Sequence, residues 1–163
     1  MDRVIAQISQ TVDWEDLIAL ERTLANRGSI GENVRAELDR HAHTLARRYL
    51  VNRGRLYSAP FSAAEEETLD VLAAAVVVLR RSQQLPHNIV KCLRAGGLIG
   101  TVEHSVGHSS GLQYRSNLEE DGVARSLLEA IVIRHPAEFD ADTVKVASLH
   151  AGQPAEELFQ AVS

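Results

Sequence analysis

Apolar residues recur at helical spacing along most of this chain, and caps mark where the helices start and stop. Asp13 opens DWEDLIALERTLANRG, in which Trp14, Leu17, Ile18, Leu20, Leu24 and Ala25 fall near one face and Gly28 supplies a stop. A second helix is expected from about Glu32 to Asn52, turning Val34, Leu38, Leu45, Ala46 and Leu50 inward and ending before Gly54. Ser62 and Glu65 form the S-x-x-E capping-box pattern at the head of a third, EEETLDVLAAAVVVLRRSQ. From Leu69 to Leu79 only Asp70 is polar, so this helix is apolar on nearly every side and belongs at the centre of the fold. Acidic residues at its start and Arg80 with Arg81 at its end suit the helix dipole.

After Leu85 the pattern changes. Pro86 suits the first turn of a short helix, HNIVKCLRAGG, with Ile89, Val90 and Leu93 inward and His87, Asn88, Lys91 and Arg94 outward, ending at Gly96 or Gly97. Five of the ten glycines, Gly96, Gly97, Gly100, Gly107 and Gly111, lie between Leu93 and Asn117. Within that stretch, Leu98 to Val106 and Leu112 to Ser116 have the β-branched, leucine and tyrosine character of two strands joined by the turn GHSSG. Helices resume in SNLEEDGVARSLLEAIVIRHP, broken by Pro136. Asp140 then caps DADTVKVASLHAG, and a last helix starts at Gln153 or Pro154 and runs through Leu158, Phe159 and Val162. The expected fold is therefore mainly α: a single-domain bundle of about seven helices with one small β-hairpin near 98–116. Its parts are amino-terminal helices in 1–60, a central segment in 62–117 and carboxyl-terminal helices in 118–163.

Composition narrows the class without changing that picture. With 163 residues, 45% apolar and 24% charged, the chain has the size and apolar content of one packed domain. A single cysteine, Cys92, excludes an internal disulfide and any multi-cysteine zinc site. No apolar run approaches the roughly 18 residues of a membrane span, and MDRVIAQISQ has no signal-peptide apolar region, so no membrane association and a cytosolic location are expected. Charge is more informative by segment than in total. The net charge is −5, yet residues 1–39 carry four basic and eight acidic side chains, residues 40–102 nine and four, and residues 103–163 four and ten. A basic middle between acidic ends allows a cationic face on an acidic protein.

That middle segment carries a resemblance. An apolar helix ending at Arg81, a short turn, a helix over 86–95, and then Gly97, Leu98 and Ile99 leading into a hairpin together resemble the second half of a winged helix-turn-helix domain, over roughly residues 65–117. The phrase LRAGGLI, Leu93 to Ile99, carries most of the likeness. The resemblance implies a non-enzymatic regulatory or accessory module that binds nucleic acid, DNA above all, with the helix at 86–95 in the major groove and the hairpin as a wing. His87, Asn88, Lys91 and Arg94 would then face base edges, and Arg80, Arg81 and Arg115 would contact phosphates. The run RRYLVNRGRLY, residues 47–57, brings four arginines, Arg47, Arg48, Arg53 and Arg55, and two tyrosines, Tyr49 and Tyr57, that extend that footprint, or else form a helix end and a solvated loop. The alternative is a helical protein-interaction or oligomerisation module without nucleic-acid contact, whose acidic carboxyl-terminal helices, with Glu156 and Glu157, suit a basic partner.

Other chemistry finds less support. His104 and His108 are four apart beside Glu103, but Gly107 and strand-like surroundings argue against a helix there, no third ligand is evident, and polarity of the hairpin surface accounts for both. His41 and His43, two apart on a helix, diverge. The chain contains no G-x-S-x-G elbow, Walker A loop or strand-to-helix dinucleotide loop, and Cys92 sits in an amphipathic helix, where cysteines are ordinarily buried and inert. No enzyme activity, metal or cofactor is expected.

Overall fold

Caps and glycines read from the sequence divide the chain into helices that pack in order. The computed structural model describes residues 2–57, 60–107 and 122–151, and among these every regular element is helical. The elements are α1 (Asp2–Gln10), α2 (Trp14–Asn26), α3 (Glu32–Arg53), α4 (Ala63–Arg81), α5 (His87–Gly107), α6 (Gly122–Arg134), a single 3₁₀ turn (Pro136–Glu138) and α7 (Ala141–Ala151). α1 and α2 pack on α3, α3 on α4, α4 also on α5 and α6, and α7 covers α5 and α6. α4 thus occupies the middle of the bundle, with Leu69, Leu72 and Ala73 fully buried, although Val78 near its end is 60% exposed. Its amino terminus is fixed by the capping box: the Ser62 hydroxyl accepts from the Glu65 amide at 3.2 Å, and the Glu65 carboxylate accepts from the Ser62 amide at 3.0 Å.

Asp140 likewise caps α7, its carboxylate accepting from the Thr143 amide at 2.7 Å. Buried hydroxyls turn back onto their own helices, Thr68 to the Ala64 carbonyl and Ser148 to that of Val144, each at 2.7 Å. Among the described residues no buried side-chain nitrogen or oxygen lacks a hydrogen-bond partner, and no helix is long and apolar enough to cross a membrane.

The strand expected at Leu98–Val106 is a helix instead. α5 bends at Gly97, whose φ of 70° and ψ of −166° are non-helical, and the chain then resumes a helix through Gly107. The physical reason is spacing. Leu98, Thr101, Val102, Ser105 and Val106 recur at helical intervals and are all buried, so packing one face outweighs the β preference of valine and threonine. His104 accordingly lies on a helix and not on a hairpin. With its first strand helical, the β-hairpin wing at 98–116 is not formed by the described residues, and the second proposed strand, Leu112–Ser116, lies outside them, as does the helix expected from Gln153.

Candidate functional site

Three helices each contribute one stripe to a cleft of about 670 Å³. α3 supplies Leu45, Ala46, Arg48, Tyr49, Asn52 and Arg53, at the three- and four-residue spacings that share a helix face. α4 supplies Val76 and Arg80, one turn apart, and α5 supplies His87, Val90 and Arg94 from the short helix before the Gly97 bend. The segment leading into α2, with Val12, Asp13, Trp14 and Glu15, closes the remaining wall, and Leu85 sits at the turn between α4 and α5. Leu45, Ala46 and Val76 are buried, so the floor is apolar. Val12 and Leu85, 70% and 50% exposed, add apolar surface at the cleft.

α3 and α5 meet closely beside it. A Cβ on Gly54 would lie 3.0 Å from the Leu93 side chain, so the end of α3 presses its bare backbone against α5. The Arg94 guanidinium Nε donates to the Arg53 carbonyl at 2.7 Å, placing a cation at the carboxyl end of α3, where the helix dipole favours it.

The cleft's two walls differ in charge. On the α3 and α5 side stand Arg48, Arg53 and Arg94, and none of the three makes an ion pair among the described residues. From the entry into α2, Asp13 and Glu15 add acidic groups to the lining, and Glu15 is already engaged: Arg80 donates to its carboxylate at 2.8 Å while lying 5.7 Å from the centroid of the Trp14 ring. A hydrogen bond to its own backbone, and then the Arg80 guanidinium, hold the Glu15 carboxyl below its ordinary value, so it stays ionised and keeps Arg80 in place. Arg80 therefore fastens the start of α2 to the end of α4.

The residues singled out in the sequence divide accordingly. His87, Arg94, Arg80 and Arg48 come together in the cleft. Lys91 lies on another flank of α5, lining a second hollow of about 660 Å³ with Cys92, Glu103, His104 and Asp140, which Arg94 also borders. Asn88 is half-buried and lines neither hollow. Arg47 is taken up by Glu66, at 2.8 Å, and by Asp70, while Arg81 bonds Asp39 at 2.7 Å and lies 3.5 Å from Glu21. Arg115 lies outside the described residues. Trp14, which periodicity assigned to the core, is also a wall of the cleft, and Asn52, Val12 and Leu85 join it without having been anticipated. Tyr49 and Arg53 belong to the run at 47–57 that the sequence marks as a candidate extension of the footprint, and the signal for Asn52 is its spacing from Leu45 along α3.

No group of three metal-ligating side chains occurs among the described residues. No protein-family model, curated protein or solved structure matches the chain.

Proposed function

We propose that this chain is a non-enzymatic module that binds nucleic acid, DNA in the first instance, through the cleft between α3 and α5. The observation that carries the proposal is the convergence of Arg48, Arg53, Arg94 and His87, drawn from two separated chain segments, on one concave surface beside Trp14 and Tyr49. Cations that have no ion-pair partner are the expected counterpart of phosphates, whose charge dominates nucleic-acid affinity. Arg47 and Arg81, saturated by their own carboxylates, are not part of the contact surface.

The proposal is tested by fluorescence anisotropy of labelled DNA at low salt with the intact chain and with Arg48→Ala plus Arg53→Ala. Saturable binding that the double substitution weakens supports it; absence of binding to single-stranded and duplex DNA alike refutes it.

A second function, a helical interaction or oligomerisation module, rests on Leu127 of α6 and Leu149 of α7, which are 48% and 68% exposed. Light scattering decides it. A stable dimer that Leu127→Ser plus Leu149→Ser dissociates would support it, and a monomer at all concentrations would count against self-association.

A further inference from the structure

We infer that the cleft takes single-stranded nucleic acid in preference to duplex, with phosphates along Arg48 and Arg53 and a base against Tyr49. The inference rests on the proposed nucleic-acid binding and deepens it.

Reading a duplex through its major groove requires a helix that projects from the surface and carries its polar side chains outward. The first half of α5 sets its exposed His87 and Arg94 at the border of a hollow shared with α3 and α4, and the floor of that hollow is the buried apolar trio Leu45, Ala46 and Val76. A convex duplex presents phosphates and sugars to such a surface and keeps its bases stacked inside. A single strand can turn a flat apolar base inward while its phosphates stay at the rim.

The distribution of side chains fits that division. Cations stand on the α3 and α5 wall, where Arg48, Arg53 and Arg94 make no ion pair among the described residues, whereas Arg80 is already held by Glu15, so phosphates are drawn to the first three. Val12, Leu85 and Tyr49 supply apolar and aromatic surface within the same cleft. Tyr49 is half-buried against the core, which holds its ring in place. Arg80 already lies over the Trp14 ring, so Tyr49 is the aromatic left to receive a base. Arginine and aromatic side chains arranged around a concave track are the combination that binds single strands with little sequence preference.

Trp14 is the only tryptophan in the chain and lines the cleft, so its emission reports occupancy without any substitution. The experiment titrates the full chain with an oligothymidine and with a mixed-sequence duplex of equal length, following Trp14 fluorescence and the anisotropy of labelled strands. Expected are at least about tenfold tighter binding of the single strand and a change in Trp14 emission that saturates with the anisotropy. Tyr49→Ala should weaken single-strand binding by about fivefold or more while Tyr49→Phe retains it, with circular dichroism confirming the fold of both. Duplex bound equally well or better, or single strands bound with no change at Trp14, would overturn the inference and leave nucleic-acid binding standing. Failure of both nucleic acids to bind would instead refute the proposed function.

Discussion

Replacing Gly97 by alanine should destabilise the protein, whereas the same replacement at Gly96, its neighbour, should stabilise it. Gly97 sits at φ 70° and ψ −166°, a region that side-chain-bearing residues almost never occupy. A Cβ built there meets nothing within 4 Å, so the cost is torsional and owes nothing to crowding. Forcing a residue with a side chain into such a conformation costs about 1 to 3 kcal/mol. At about 2 kcal/mol, and with roughly 2 to 4 °C of melting temperature per kcal/mol for a chain of this size, Gly97→Ala should melt roughly 4 to 8 °C lower. Gly96 is helical and its Cβ position is equally open, so alanine there gains about 0.5 to 1 kcal/mol of helix preference. Thermal and urea melts followed by far-ultraviolet circular dichroism measure both. The bend is what lets α5 line the cleft with residues 87–96 and then bury a second face beyond Gly97; if Gly97→Ala proved as benign as Gly96→Ala, the bend would not be held by that glycine's conformation, and this account of α5 would be wrong.

Ser62→Ala removes the capping box of α4 and should cost about 1 kcal/mol, lowering the melting temperature by roughly 2 to 4 °C; an unchanged melt would show that the box contributes nothing. Asp70 gives a pH dependence. Burial acts to raise its carboxyl, but hydrogen bonds from Arg47 and His43 outweigh that and hold it below its ordinary value, so its stabilisation is complete above about pH 4 and is lost as the pH falls through the lowered folded-state value. Its side chain is 55% exposed, which keeps the effect under about 1 kcal/mol. Asp70→Asn should therefore melt below the parent protein at neutral pH, and the gap should close in acid; a gap that persists unchanged would contradict the pairing.

Much of this architecture is legible in the sequence, because caps and periodicity are local. The Ser62 and Glu65 pair, the Asp140 cap, the extent of α3 and the central place of α4 follow from residues a few positions apart. α1 is not legible in the sequence, since nine residues with Val4, Ile5 and Ile8 as the large apolar positions give too short a pattern to stand out. The second half of α5 is hidden in the sequence because its valine and threonine content suggests strand while its spacing is helical, and a single left-handed glycine bends a helix without ending helical structure. The site was legible in kind but not in membership. Segment charge pointed to the middle of the chain, yet which arginines remain unpaired depends on partners far away in sequence: Arg80 is taken by Glu15, 65 residues distant, and Arg81 by Asp39, 42 residues distant. The fold consumes four of the middle segment's arginines, Arg40, Arg47, Arg80 and Arg81, in ion pairs and leaves Arg48, Arg53 and Arg94 together at the cleft.

The salt dependence of DNA binding tests that selection most directly. Each phosphate contact with a single strand contributes about 0.7 to the slope of log affinity against log salt concentration. Anisotropy titrations of a labelled oligothymidine between about 50 and 200 mM salt should therefore give a slope about 1.4 shallower for Arg48→Ala plus Arg53→Ala than for the parent chain, while Arg47→Ala plus Arg81→Ala leaves it unchanged. Equal slopes for the parent and the Arg48 and Arg53 variant, or a larger loss from Arg47 and Arg81, would contradict the cleft as the binding surface.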